Sequence, residues 1–210
     1  MPLPSALHVR ALDSVVRLET HDDGMQDELQ HLWQHCLVEP CDLEAARRFS
    51  VELADGVWTV QQGLQTLGTA YDTTSAALLL ATHLNAAAVR QCAGLAVHAG
   101  GIASGGAVVA LAADSGVGKS TLTAACLARG WEYVTDEALH LTRDGCVVPY
   151  PKPLTLSASS RALLDVPSSG VGDERLVAVE DLGGRVARSR CTWPTSSSCR
   201  DRTASRTAPS

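Results

Sequence analysis

The stretch AADSGVGKSTLTAACLARG, Ala112 to Gly130, follows directly on the apolar run GGAVVAL and decides how the centre of this chain is expected to fold. An apolar run, a glycine-rich loop and an alanine- and leucine-rich segment predict, in that order, a buried strand, a tight turn and a helix. We expect the helix from Lys119 to Arg129, because Gly130 is the residue type that commonly follows a helix C-terminus.

The loop has the composition of a phosphate-binding loop. Gly116 and Gly118 accept positive φ, so the backbone amides can turn inward around an anion. Lys119 would place its charge at the β- and γ-phosphates of a nucleotide, and the Ser120 hydroxyl could ligate Mg²⁺. The spacing fits [AG]-x-x-x-x-G-K-[ST], with Ala113 where the pattern prefers glycine. The predicted nucleotide-binding residues are Asp114, Ser115, Gly116, Val117, Gly118, Lys119, Ser120 and Thr121.

Composition narrows the classes of protein. A chain of 210 residues that is 45% hydrophobic can bury one core plus a small lobe. The net charge of −6 argues against nucleic-acid binding, which needs clustered cations. Lysine occurs only at Lys119 and Lys152, so a lysine is unlikely to lie inside the glycine loop by chance. We expect Lys152 to be a solvated loop residue.

The pattern predicts an α+β lobe over residues 1–92. Alternation from Leu7 predicts an edge strand, and the segment RRFSVELADGVWTVQQ predicts a hairpin around Asp55 and Gly56. A second helix is expected from Thr73 to Cys92, capped by Thr or Ser. The residues expected on one face of a first helix are Met25, Leu29, Leu32, Trp33 and Cys36.

A P-loop nucleotide-binding core is expected over residues 93–184, in an α/β fold of the P-loop kinase-like class. We predict a strand through His98, a glycine turn, and a strand from Ala107 to Ala113. The helix after the loop would lead to a strand that ends at Asp136 and Glu137. The two strands around the helix form a βαβ unit with parallel pairing in a mixed sheet. A further hairpin is expected around Asp144–Gly145.

Residues 185–210 differ in composition from the rest of the chain. They carry six arginines, one aspartate and ten serines or threonines, with no Leu, Ile, Phe or Met. Such a segment buries too little apolar area to offset the entropy of ordering, so we predict a disordered tail.

Cysteines and apolar segments bear on localisation. The seven cysteines are scattered, mostly within apolar runs, which predicts free thiols in a reducing, cytoplasmic setting. The apolar stretch from Gly94 to Ala113 is interpreted as two strands rather than a membrane span, because glycines and His98 interrupt it. A zinc site from His31, His35, Cys36 and Cys41 is a weak alternative, since a helix face explains the two histidines.

The acidic pair lies 17 residues beyond Lys119, at the expected carboxyl end of a neighbouring strand, where ligands bind in such sheets. A carboxylate there could hold Mg²⁺ or accept a proton from an attacking hydroxyl. Motifs typical of transporter ATPases (LSGGQ) and GTPases (NKxD) are absent from the sequence.

From His98 to about Pro153 the sequence resembles the catalytic core of HPr kinase/phosphorylase and of HPr-kinase-like serine kinases. DSGVGKS, the leading His98 and the acidic pair carry this resemblance. It implies that Lys119 binds phosphate, that Ser120 and Asp136 hold Mg²⁺, and that His98 lies near the phosphates. The family usually has two aspartates, the second being the base, where this chain has Glu137; either carboxylate could serve.

The resemblance implies an ATP- and Mg²⁺-dependent kinase that phosphorylates a serine hydroxyl on a protein or peptide. His98, Lys119, Asp136 and Glu137 would be its catalytic residues. The metal-binding glutamate of the bifunctional enzymes has no match in PLTLSASSRALLDVP, which argues against a phosphorylase activity. The alternative is a non-catalytic ATP-binding module or a truncated relic. Assembly into a homo-oligomer stays open.

Overall fold

The computed structural model describes residues 5–40, 47–114, 116–167, 172–187 and 191–192. Within them the protein is a mixed α/β structure with three sheets and four α-helices. Within the same residues no helix combines the length and apolar character needed to cross a membrane.

The first sheet has five strands in sequence order, β1-β2-β3-β4-β5. Only β2 and β3 pair in parallel, and the other neighbours are antiparallel. Asp55 (φ 52°) and Gly56 (φ 76°) form the turn between β3 and β4, which confirms the predicted hairpin. The strands are β1 (Ser5–Ala11), β2 (Ser14–Thr20), β3 (Arg47–Ala54), β4 (Val57–Gln62) and β5 (Gln65–Ala70).

Two helices, α1 (Asp23–Trp33) and α2 (Thr73–Gln91), pack against this sheet and share its core. The apolar face predicted for α1 is confirmed, since its four hydrophobic residues and Cys36 are buried. The cap predicted for α2 is wrong: Asp72 is the N-cap, and its Oδ1 accepts the Ser75 amide at 2.9 Å. Aspartate is at least as good a cap as serine or threonine, so Asp72 caps the helix and Thr73 is its first residue.

The core of this first part also includes Ala138, Tyr150 and Leu176 from the second half of the chain. The two halves therefore share apolar packing, and the boundary at residue 92 stays a prediction.

The second sheet has the order β14-β9-β7-β8-β15-β11-β10-β6. Its strands are β6 (Leu95–His98), β7 (Gly100–Ser104), β8 (Ala107–Leu111), β9 (Glu132–Thr135), β10 (Ala138–Leu141), β11 (Cys146–Val148), β14 (Arg185–Val186) and β15 (Cys191–Thr192). A separate two-stranded sheet pairs β12 (Leu154–Ser157) with β13 (Glu174–Val177). The remaining helices are α3 (Lys119–Leu127) and α4 (Ala158–Leu163). Gly145 has φ 77° in the turn between β10 and β11, which confirms the hairpin predicted there.

The direct parallel pairing predicted for the strands on either side of α3 is wrong. Strand β7 lies between β8 and β9 and is antiparallel to both. The strands β8 and β9 therefore run in the same direction, one strand apart, and their carboxyl ends still reach the same edge. Strand β7 is joined to β8 by a short hairpin and can therefore lie between β8 and β9. Local periodicity predicts strands but does not show which strands are neighbours.

The glycine turn predicted before Ala107 is confirmed at Gly105 (φ 58°) and Gly106 (φ 81°), whereas Gly100 and Gly101 lie in β7. A Cβ at Gly100 would lie 2.8 Å from Thr123 Oγ1 of α3. The glycine is needed for close packing of the helix on the strand rather than for a turn.

The predicted disorder is wrong for the residues of the tail that the structure describes. Arg185–Val186 pairs in parallel with β9, the Ala187 amide donates to the Tyr133 carbonyl at 2.9 Å, and Cys191–Thr192 lies between β8 and β11. Backbone pairing orders these residues without large apolar side chains. Residues 188–190 and 193–210 lie outside the described residues.

Three of the described cysteines, Cys36, Cys92 and Cys126, are free thiols, as expected. Cys146 is disulfide-bonded, contrary to the expectation. Cys41 and Cys199 lie outside the described residues.

Candidate phosphate-binding site

A cavity of about 350 Å³ opens where the glycine loop meets the end of β9. Its volume lies within the range of small-molecule sites. The structure brings most of the predicted site residues to its walls: His98, Gly116, Gly118, Lys119, Ser120, Thr121, Asp136 and Glu137. Asp114 and Val117 are exposed and do not line it, and Ser115 lies outside the described residues.

The glycine loop approaches the cavity with the backbone shape expected of a phosphate cradle. Gly116 has φ 82°, and Gly118 has φ 96° and forms the N-cap of α3. The amides of the first helical turn have no partners within the helix, and the helix dipole favours an anion at this end.

Lys119 is partly exposed and folds back over its own loop. Its Nζ donates to the carbonyl oxygens of Ala113 at 2.7 Å and Asp114 at 2.8 Å. No carboxylate forms an ion pair with it in the described part of the chain. Its positive charge is therefore not neutralised locally and is available to an anionic ligand.

Asp136 is bound on both oxygens. Oδ1 accepts from Lys152 Nζ at 2.7 Å and from the Tyr133 hydroxyl at 3.0 Å, while Oδ2 accepts from Ser120 Oγ at 3.1 Å and from the Thr155 amide at 3.2 Å. The side chain is 2% exposed. A carboxylate has about four lone-pair positions, so this one is saturated and rigidly held.

Glu137 differs from its neighbour in exposure and bonding. Its side chain is 42% exposed, and its ion pair is with Lys152 at 3.4 Å. A free carboxylate oxygen can therefore face the cavity. The sequence analysis did not decide which of the two carboxylates would be the base. Glu137 has the geometry of a proton acceptor, and Asp136 has that of a fixed structural ligand.

The bend that holds this acidic pair lies within one long antiparallel ribbon. Gly101 pairs with Thr135 in β9, and His98 pairs with Ala138 in β10, in one register, which shifts between Gly101 and Ile102. The Ala99 amide donates to the Glu137 carbonyl at 3.1 Å. This pairing places His98, which is exposed, on the same cavity as Glu137.

The prediction that Lys152 is a solvated loop residue is wrong, because it is 3% exposed and lies between both acidic side chains. Burial alone would lower the pKa of Lys152, but the charges of Asp136 and Glu137 outweigh burial and raise it. Burial and the charge of Asp136 likewise raise the pKa of Tyr133 well above its usual value. Lys152 is thus a buried ammonium ion facing the cavity.

The other cavity residues missed by the sequence analysis come from α2, β12, α4 and β13. They are Leu78, Ala81, Thr82, Thr155, Ser157, Ser160 and Glu174. Thr121 Oγ1 lies 2.7 Å from Ser160 Oγ, which joins the first turn of α3 to α4. The one sequence signal for any missed residue was the rarity of lysine, since both lysines of the chain line this cavity.

The oxygen donors fit a magnesium ion. The Ser120 hydroxyl and the Asp136 carboxylate are hard ligands that already touch each other at the cavity wall. Magnesium is usually held by one or two such groups together with phosphate oxygens and water. Magnesium would take the place of the Ser120–Asp136 hydrogen bond, which would free Ser120 Oγ and one lone pair of Asp136 Oδ2 for the ion.

The alternative zinc site of the sequence analysis is not formed by the described residues. His31 pairs with Asp181 and His35 with Glu180, and burial raises the pKa of the Cys36 thiol to about 12. Cys41 lies outside the described residues. Contacts with these two carboxylates account for both histidines.

A larger cavity of about 660 Å³ lies elsewhere, beside Glu132, Glu180 and the Gly105–Gly106 turn. Its walls contain none of the predicted nucleotide-binding or catalytic residues, so the smaller cavity is the candidate site.

Comparison of the chain with protein-family models, with curated proteins and with solved structures finds no match. The assignment of function therefore depends on the motif residues and on the geometry of the cavity.

Proposed function

We propose that this protein is an ATP-dependent kinase of the HPr-kinase-like type that transfers the γ-phosphoryl group to a serine hydroxyl on a protein or peptide. The observation that carries the proposal is the convergence of Lys119, Ser120, Asp136 and Glu137 on one cavity, with Ser120 Oγ and Asp136 Oδ2 3.1 Å apart. A phosphate cradle alone would require no carboxylates opposite it.

In this proposal the loop amides and Lys119 bind the β- and γ-phosphates. The Lys119 ammonium exchanges its two loop carbonyls for phosphate oxygens. Magnesium held by Ser120 and Asp136 supplies charge neutralisation on the phosphates.

Glu137 accepts the proton of the acceptor hydroxyl, because it is the carboxylate with an unoccupied oxygen at the cavity. Lys152 holds the adjacent carboxylates in place through its two ion pairs. Exposed His98 lies where it can contact the phosphates or the acceptor.

The proposal is tested with purified protein, Mg²⁺, γ-labelled ATP and serine-containing acceptor proteins or peptides. Glu137→Gln should retain ATP binding and lower transfer roughly 10²–10⁴-fold, the usual contribution of a general base. Asp136→Asn should also lower transfer, with an added loss of stability because Lys152 loses a buried partner.

Glu132→Gln is the matched control, since Glu132 lies at the start of β9 and outside the walls of this cavity. Wild-type rates in both acidic variants would exclude the proposed mechanism. Tight ATP binding without label on any acceptor would favour the alternative, an ATP-binding module, over a kinase.

A further inference from the structure

Three side chains of types that ligate metal ions meet on the side of the second sheet that carries β6 and β10. Asp13 lies in the turn between β1 and β2, Cys92 directly follows α2, and His140 is in β10. One ligand atom from each lies within 4.8 Å of the other two. None of the three lines the cavity described above.

The bonding of His140 is incomplete for a buried imidazole. The residue is 2% exposed, and its Nδ1 has no hydrogen-bond partner among the described residues. Its Nε2 faces Asp13 Oδ2 at 3.4 Å, which is longer than an N–H···O bond. A buried polar ring without good hydrogen bonds is costly, and a cation at Nε2 would give the ring a strong bond on the side that faces Asp13.

The same distance is the spacing of two ligands on one zinc ion. Zinc–nitrogen and zinc–oxygen bonds of about 2.0–2.2 Å at a tetrahedral angle place their ligand atoms about 3.4 Å apart. An imidazole, a carboxylate and a thiolate are all common zinc ligands.

The backbone around these residues supports the arrangement. The Ala93 amide donates to Asp13 Oδ2 at 2.8 Å, which fixes the carboxylate and leaves lone pairs for a metal. A Cβ at Gly94 would lie 2.6 Å from His140 Nε2, so a glycine is required for the segment after Cys92 to approach the ring. Cys92 is a free thiol.

We propose that Asp13 Oδ, Cys92 Sγ and His140 Nε2 form a zinc site with water at the fourth position. The Asp13 side chain is 37% exposed, so solvent reaches this position. On binding, the Cys92 thiol releases its proton to solvent and the thiolate bonds to Zn²⁺. The ion joins the first hairpin and the end of α2 to β10, and so connects the two halves of the chain.

The test uses the tag-free full chain, titrated with Zn²⁺ by calorimetry and with Co²⁺ by absorption spectroscopy. The wild type should bind one ion per chain, and the cobalt form should show a thiolate charge-transfer band and the strong visible bands of tetrahedral coordination. Cys92→Ser should remove the charge-transfer band. Asp13→Asn and His140→Asn should each weaken zinc binding by more than about 100-fold. This exceeds the roughly 10- to 100-fold loss expected for a residue that only hydrogen-bonds to a zinc ligand.

Cys126→Ala is the matched control, because Cys126 is also a free thiol but lies on α3. It should bind zinc as the wild type does. Circular dichroism without metal checks that each variant is folded, and the exposed Asp13 turn provides a variant with little structural risk. The proposal is overturned if the wild type does not bind zinc, if the band persists in Cys92→Ser, or if folded Asp13→Asn keeps wild-type affinity.

Discussion

The glycine loop and the cluster around Asp136 line the same cavity, yet they are held in different ways. The loop bonds mainly to itself: Lys119 Nζ reaches only two loop carbonyls, and Gly116 and Val117 are exposed. Asp136 instead accepts four bonds, from two strands, one helix and Lys152 in the segment before β12, and is almost fully buried.

This difference suggests a division of roles between the two regions. The cluster fixes Ser120 and the acidic pair before any ligand arrives, at a cost in buried charge. The loop keeps its charge and amides free for a ligand. Substitutions in the cluster should therefore lower stability first, and substitutions in the loop should lower function alone.

The largest effect is expected from Lys152→Met, which keeps the length of the side chain and removes its charge. Asp136 would be left buried without its ion-pair partner, which typically costs about 3–5 kcal/mol. The free energy of unfolding, measured by urea denaturation, should fall by that amount.

Lys119→Met is the matched control, because it is the only other lysine of the chain. Its partners are backbone carbonyls of a partly exposed loop, so a change within about 0.5 kcal/mol is expected. The double variant Lys152→Met/Asp136→Asn should recover part of the loss, since neither charge then remains. Equal stability of Lys152→Met and the wild type would show that the cluster is not a structural framework.

The second effect concerns function. If the chain is the proposed kinase, Lys119→Met should lower phosphoryl transfer roughly 10²–10³-fold, about 2.7–4 kcal/mol of transition-state stabilisation. Nucleotide binding should weaken in the same variant while its unfolding curve stays that of the wild type. Arg129→Met, at the other end of α3, serves as control. Undiminished transfer in Lys119→Met would contradict the role given to the loop.

The same contrast explains what the sequence could predict. The residues of the loop are contiguous in sequence, so the spacing of its glycines, Lys119 and Ser120 was enough to predict them. The helices and hairpins of the first part followed from periodicity and from Asp55–Gly56, because these signals are also local.

The cluster is assembled from segments far apart in the chain, and no local pattern marks it. Lys152 follows a proline and precedes another, which suggests an exposed loop; only the tertiary structure places it against Asp136. The insertion of β7 between β8 and β9, and the approach of Asp13 to His140, are likewise long-range events. Short β14 and β15 were missed because long-range backbone pairing orders them and only small side chains, Ala187 and Cys191, are buried there.

The smallest effect is expected at alkaline pH. The pKa of Lys152 is raised above its usual 10.5 in the folded protein, so between these two values the folded state keeps a proton that the unfolded chain has lost. The contribution of Lys152 is complete below about pH 10.5 and decreases as pH rises through the folded pKa. Burial raises the pKa of Tyr133 and Cys36 as well, so the stability of every variant should decrease at alkaline pH for this second reason.

The free energy of unfolding is measured by urea denaturation from about pH 8 to pH 11. It should decrease more steeply with pH for the wild type and Lys119→Met than for Lys152→Met. Identical slopes in the three proteins would mean that Lys152 does not keep its charge through the acidic cluster.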